Sequence, residues 1–126
     1  MALRVLVVDD EANLRRSLAI GLRLEGFEVL EAADGHEALR CLDAEDVDLA
    51  VVDLMLPGLD GLELARRLRF RLPEMPLLLV SAYHLSPRQL ARARVGDVGF
   101  VGKPYDLDAL TRAVREALPA EGRVAS

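Results

Sequence analysis

Four short apolar runs in this chain each end on a polar residue: Val5–Val8 on Asp9 and Asp10, Leu49–Val52 on Asp53, Leu77–Val80 on Ser81, and Phe100–Val101 on Gly102 and Lys103. Runs of this length without polar alternation fit strands buried on both faces, as in a parallel sheet held between two helix layers. In an open parallel sheet, ligands bind outside the carboxyl ends of the strands. The run ends therefore converge on one sheet edge, bringing together three acids, a hydroxyl and an ammonium.

The segments between the runs supply the helices. Leu3–Val8 predicts the first strand, and Leu14, Leu18, Leu22 and Glu25 then recur at helical spacing until Gly26 provides a stop. Phe27–Glu31 predicts a second strand, Asp34 caps a helix carrying Ala38, Leu39 and Leu42, and Val47–Asp53 predicts a third strand. Pro57-Gly58 breaks the chain, Asp60 caps a helix with Leu62, Leu64, Ala65 and Leu68, and Pro73 and Pro76 bracket the strand Leu77–Ser81. A weaker helix covers about Ser86–Val95, Val98–Gly102 is the last strand, and Asp106 caps a helix whose Leu107, Leu110, Val114 and Leu118 form one apolar stripe.

Five β-α units in alternation require right-handed crossovers that lay helices over both sheet faces. The expected fold is α/β, a doubly wound five-stranded parallel sheet of the flavodoxin-like kind with strand order 2-1-3-4-5. Its switch point falls between the first and third strands, where Asp9, Asp10 and Asp53 meet. Residues 1–118 are expected to form this one domain, Pro119 ends regular structure, and 119–126 reads as a flexible tail or truncated linker.

Composition narrows the classes. With 126 residues, 52% of them apolar, the chain can bury a core without disulfides or structural metal. A net charge of −5 argues against direct nucleic-acid binding, which needs clustered Lys and Arg in excess. The single Cys41 can form neither an internal disulfide nor a metal cluster and reads as a small buried side chain, in keeping with a cytoplasmic protein. No apolar stretch reaches the roughly 18 residues of a membrane span, and no signal-peptide pattern opens the chain. A P-loop segment is absent. His36 and His84 lack acidic or Cys partners at ligand spacing and take no catalytic role. Arg66, Arg67, Arg69 and Arg71 read as a solvated helix face on which one member could meet an acidic partner, while Arg88, Arg92 and Arg94 lie on the helix following Ser81.

The converging residues suit a divalent cation and a phosphoryl group. Mg²⁺ takes near-octahedral oxygen ligands and keeps several waters, so Asp10 and Asp53 serve as direct ligands and Asp9 binds directly or through a water. As a nucleophile, Asp53 would attack phosphorus to give an aspartyl phosphate. Phosphoryl transfer is mostly positioning and charge neutralisation, which leaves Lys103 as the opposing cation and Ser81 as a hydrogen-bond donor. Pro104 biases Lys103 toward extended backbone and helps aim its ammonium over the strand ends.

From Leu3 to Leu118 the chain resembles the receiver domain of two-component response regulators. The likeness rests on the acid pair Asp9 and Asp10, on Asp53, Ser81 and Lys103-Pro104, and on the loops Ala33-Asp34-Gly35, Asp53-Leu54-Met55-Leu56-Pro57-Gly58, Asp60-Gly61 and Ser81-Ala82. The resemblance implies a signalling switch that catalyses its own phosphorylation on Asp53 and slow dephosphorylation, rather than a metabolic enzyme. It implies that Met55 lends a backbone carbonyl to Mg²⁺, and that a sensor histidine kinase or histidine phosphotransfer protein donates the phosphoryl group. It also implies that Ser81 moves toward the phosphoryl oxygens and that Phe100 rotates into the vacated room. The surface of the fourth helix, fifth strand and fifth helix then changes for a downstream effector protein or domain, and a homodimer is a further expectation.

Two features depart from the family pattern. Phe100 lacks the hydroxyl of a tyrosine, so its rotamer rests on packing alone, and Gly96-Asp97-Val98-Gly99 lacks the acids used for paired dimer salt bridges. Tyr83 and Met55 flank the pocket and are expected to tune access of hydrolytic water. The competing readings are a degenerate receiver acting as a constitutive interaction scaffold and a haloacid-dehalogenase-type phosphatase. The complete acid, Ser and Lys set opposes the first. Asp9 and Glu11 meet the spacing of the second only loosely, and the chain has no room for its substrate cap.

Overall fold

A computed structural model describes residues 2–118. The elements alternate as β1 (Arg4–Val8), α1 (Ala12–Leu24), β2 (Glu28–Ala32), α2 (Gly35–Ala44), β3 (Leu49–Asp53), α3 (Gly61–Arg71), β4 (Leu77–Ser81), α4 (Pro87–Ala93), β5 (Gly99–Gly102) and α5 (Leu107–Ala117). The sheet is parallel throughout, in the order β2-β1-β3-β4-β5. This is the expected doubly wound fold with its switch point between β1 and β3.

Strand alternation divides the apolar runs between two cores. Leu6, Val8, Ala50, Val52, Leu77 and Leu79 face one side, where Ala38 of α2, Leu64 and Leu68 of α3 and Ala93 of α4 cover them. Val5, Val7, Leu49, Val51, Leu78 and Val80 face the other, against Leu18 and Leu22 of α1 and Leu110 and Val114 of α5. Because both faces are covered, no strand needs a polar side, which explains the unbroken apolar runs.

The strands and helices differ from expectation mainly at their ends. Gly26, at φ 99°, closes α1 in the left-handed region, and the Phe27 amide donates to the Leu22 carbonyl at 3.2 Å. Phe27 thus belongs to the helix cap, and β2 starts one residue later than its apolar run. Ser86 is the N-cap of α4 in a reciprocal capping box with Gln89 rather than its first helical residue. At the other end Arg94 (φ 58°) and Gly96 (φ 72°) turn left-handed, so α4 stops at Ala93 and not at Val95. Leu107 is 37% exposed rather than buried, and its side chain lies over Gly21 of α1.

The expected solvated arginine face is corrected in part. Arg66 Nε donates to the Ala93 carbonyl at 2.9 Å, and Arg69 Nε and Nη2 donate to the carbonyls of Val95 and Asp97, both at 2.8 Å. Arg69 Nη1 reaches the carbonyls of Pro73 and Met75 at 2.9 and 2.7 Å. Arg66 and Arg69 thus satisfy carbonyls at and just beyond the end of α4, and Arg69 also those of Pro73 and Met75 after α3. The expected tail, 119–126, lies outside the described residues. No described helix is long and apolar enough to cross a membrane.

Candidate functional site

The carboxyl ends of β1, β3, β4 and β5 place the chemistry. Asp53 pairs in register with Val80, and Ser81 with Gly102, so neighbouring strands deliver their terminal polar residues at one level. Asp9, Asp53 and Ser81 are 5%, 3% and 2% exposed, whereas Asp10 is open to solvent. One carboxylate oxygen from each of Asp9, Asp10 and Asp53 can lie within 4.8 Å of the others.

Lys103 closes the cluster. Its Nζ stands 2.9 Å from Asp53 Oδ2, 3.4 Å from Asp9 Oδ2 and 3.7 Å from Glu11 Oε1. Its own amide donates to the Ser81 carbonyl at 2.8 Å, which fixes the turn after β5, and the Lys103–Pro104 peptide is cis. The remaining carboxylate oxygens are also satisfied. Asp9 Oδ1 accepts from the Glu11 amide at 2.8 Å, and Asp53 Oδ1 accepts from the Met55 amide at 3.0 Å. Both carboxylates are thereby oriented before any ligand arrives.

Burial sets the protonation chemistry. It pushes the Asp9 carboxyl above its ordinary value, although the Glu11 amide and the Lys103 charge pull the other way. Burial alone would lower Lys103, but its hydrogen bond to Asp53 and the charges of Asp9 and Asp53 outweigh this, leaving the ammonium held above its usual value. Tyr105, two residues beyond Lys103, is pushed up to about 12 by burial and then by the charge of Asp9. Its hydroxyl has no hydrogen-bond partner among the described residues.

A cation of the Mg²⁺ class fits these donors. Six oxygens at about 2.0–2.1 Å span roughly 4.2 Å across an octahedron, so carboxylates within 4.8 Å of one another need only small side-chain adjustment. Three acids facing one ammonium also leave the cluster with an excess of negative charge for a cation to neutralise.

The other sequence candidates lie around this cluster. Ser81 Oγ accepts from the Tyr83 amide at 3.0 Å. Met55 and Tyr83 are 59% and 65% exposed, on the loops that follow β3 and β4. Phe100 is half-buried against the α4-side core and stacks on His84, ring centroids 6.1 Å apart and planes 21° apart. Arg88, Arg92 and Arg94 are exposed on and just after α4.

Sequence reasoning missed three supports. Arg15 Nη1 donates to the Asp9 carbonyl at 2.8 Å while its Nε meets Glu31 at 3.2 Å, tying α1 and β2 to the acid pair. Tyr105 lines the buried side of the site, a placement signalled only by its distance of two residues from Lys103. Gly61 backs directly onto the Asp53 and Leu54 backbone, where a Cβ would lie 2.4 Å from the Asp53 carbonyl oxygen.

A flavodoxin-like sheet with three acids and a lysine at its switch point defines a class of acid-pocket α/β domains. Within that class, residues 5–115 match the model of the response regulator receiver domain, and the chain belongs to this family. It is 37% identical over 114 residues, 90% of its length, to the transcriptional regulatory protein GlrR of Escherichia coli strain K12, of which it covers 26%. The curated relatives it matches are longer, and the chain spans between 26% and 51% of the first of them. Its structure is similar to a CheY-like response regulator receiver domain protein from Methanospirillum hungatei JF-1, with a TM-score of 0.88, 28% identity and complete coverage of both chains. It is also similar to the response regulator TrrA of Thermotoga maritima in complex with Mg²⁺ and BeF, with a TM-score of 0.81 and 34% identity over 92% of this chain and 99% of that one.

Proposed function

We propose that residues 1–118 act as a phosphorylation-driven switch, with Asp53 as the phospho-acceptor. The observation that carries this reading is the buried Asp53 carboxylate, with Lys103 Nζ on Oδ2 at 2.9 Å and two further acids beside it. An Asp53 oxygen attacks the phosphorus of a phosphohistidine, the P–N bond breaks as the P–O bond forms, and the electron pair leaves with the imidazole nitrogen. The donor is a sensor histidine kinase or a histidine phosphotransfer protein in the cytoplasm.

Asp10 and Asp53, with Asp9 and the Met55 carbonyl, are the groups that would hold Mg²⁺, whose charge neutralises the carboxylates and the phosphoryl oxygens. TrrA, a 34% identical relative, was captured with Mg²⁺ and BeF, which supports this assignment. Lys103, whose Nζ already stands 2.9 Å from Asp53 Oδ2, holds one phosphoryl oxygen. The Met55 amide, already aimed at Asp53 Oδ1, orients the acceptor carboxylate.

Ser81 links the site to the surface. Turning its hydroxyl toward the phosphoryl oxygens withdraws Oγ from the Tyr83 amide and releases the loop that carries His84. His84 then leaves the Phe100 ring, Phe100 turns inward, and the surface of α4, β5 and α5 changes for an effector protein or domain. Exposed Tyr83 and Met55 regulate hydrolytic water at the pocket mouth.

Intact mass after incubation with Mg²⁺ and acetyl phosphate tests the assignment. Wild type gains one phosphoryl group and Asp53→Ala gains none. A folded wild-type chain that binds Mg²⁺ but gains no mass would overturn the switch reading in favour of a constitutive interaction scaffold.

A further inference from the structure

On α3, well away from the acid cluster, Phe70 is 87% exposed. A lone exposed apolar side chain needs no explanation, but Phe70 is not isolated. It rims a shallow depression of about 460 Å³ between α2 and α3, lined also by Leu39, Glu63, Arg66, Arg67 and Arg71. Leu39 is half-buried at its floor, and the aliphatic stems of the arginines extend the apolar surface.

The charge of this surface opposes that of the molecule. Three guanidinium groups here meet two carboxylates, Glu63 of the lining and Asp43 beside Arg71, leaving a local positive excess in a chain of net charge −5. Arg67 meets Glu63 through Nε at 3.2 Å, and Arg71 meets Asp43 through Nη2; among the described residues neither makes another hydrogen bond. Arg67 and Arg71 side chains are 48% and 38% exposed, so their remaining donors face solvent around an unburied aromatic ring. Aromatic and Arg side chains together make the usual anchors of protein interfaces.

We propose that the α2–α3 face docks an acidic protein segment whose apolar side chain seats between Phe70 and Leu39 while its carboxylates meet Arg67 and Arg71. This inference does not depend on phosphorylation of Asp53. A symmetric dimer through the same face is disfavoured, because a two-fold axis would set the arginines of one copy against those of the other. A nucleic acid fits less well, since it offers no apolar anchor for Phe70 and meets the net negative charge of the chain.

The test uses the full chain and a fluorescein-labelled helical peptide of about 15 residues, with leucines at i and i+4 flanked by glutamates. Two control peptides replace the leucines by serine or the glutamates by lysine, and a labelled single-stranded oligonucleotide is the third control. Anisotropy is expected to show saturable binding of the acidic leucine peptide below about 1 mM. Phe70→Ser and Arg67→Gln, each with an unchanged melting temperature, are expected to weaken it by about tenfold. The lysine peptide is expected not to bind. Absence of saturable binding, insensitivity to both substitutions, or equal binding of the serine peptide or the oligonucleotide would each overturn the proposal.

Discussion

Gly61→Ala tests whether the close approach behind Asp53 sets the geometry of the site. A Cβ at this position would stand 2.4 Å from both the Asp53 carbonyl oxygen and the Leu54 Cα. Both are backbone atoms, so no rotamer change relieves the contact. Opening it to 3.0 Å, below which Cβ contacts essentially never occur, moves α3 against the end of β3 by about 0.6 Å. Overpacking of this kind costs about 3 kcal/mol, and the helix preference of alanine over glycine returns at most about 1 kcal/mol. The net loss of about 2 kcal/mol corresponds to a fall in melting temperature of roughly 6–10 °C for a domain of this size.

The displacement also falls on Asp53, the proposed acceptor. A shift approaching 1 Å at a reacting group costs on the order of a hundredfold in rate, so acetyl phosphate labelling of Gly61→Ala is expected to slow by about tenfold or more. Gly102→Ala is the matched control, because its Cβ meets nothing closer than the Ser81 carbonyl oxygen at 3.9 Å. Calorimetry and time-resolved intact mass on the two variants measure both effects. A Gly61→Ala midpoint within about 2 °C of wild type, with unchanged labelling, would refute the reasoning.

Lys103→Met leaves Asp9 and Asp53 buried without their shared cation, so the metal-free chain is expected to lose about 3 kcal/mol, and Mg²⁺ should raise its melting temperature more than that of wild type. Equal shifts would contradict this. His84→Ala removes the ring stacked on Phe100, so ¹⁹F spectra of fluorophenylalanine-labelled chain should show a smaller phosphorylation-dependent shift at Phe100 with labelling of Asp53 intact; a full-sized shift would discard His84 as the link. Burial, then the charge of Glu37, raises the Cys41 thiol above its ordinary value of 9.0. Cys41 therefore stays protonated where a free thiol ionises, and the alkylation profile of the native chain should shift to higher pH than that of the unfolded chain; coincident profiles would refute this. Arg69→Met strands the carbonyls of Met75, Val95 and Asp97, so hydrogen exchange should accelerate across 93–99 while β1 and β3 stay protected, and unchanged exchange there would show that the guanidinium does not hold the loop.

The fold was legible because the signals were redundant. Apolar runs set the strands, Asp34, Asp60 and Asp106 cap the helices that follow through their side chains, and the strand-end acids mark the active edge. Asp9, Asp10, Asp53 and Lys103 could be grouped from sequence because parallel strands in one sheet end at one level. What stayed illegible depends on distances between elements. The left-handed Arg94 that ends α4, the four-carbonyl grip of Arg69, and Phe100 stacking on His84 rather than packing alone leave no local pattern. Gly61 carried a partial signal, a glycine directly after a capping Asp, but its reason is the backbone of β3 lying against it.

Two of these, the Arg69 grip and the Gly61 approach, lie on one element. α3 is an 11-residue rod of about 16 Å whose first residue lies against Asp53 and whose later residues hold the end of α4. Arg66 and Arg69 fix the carbonyls of Ala93, Val95 and Asp97, whereas the polar restraint of the opposite end of α4 is a capping box between its own residues Ser86 and Gln89, with Leu85 and Leu90 packed on the core. In the proposed switch, motion begun by Ser81 would meet less polar restraint at the Ser86 end than at the Ala93 end. A helix held in this way would pivot about its C-terminus instead of translating. The largest displacement would then fall on the loop carrying Tyr83 and His84, beside the Phe100 ring. On this reading α3 is the fixed frame for that pivot, and the exposure of Phe70 and Arg67 on its outer face would be unchanged by it.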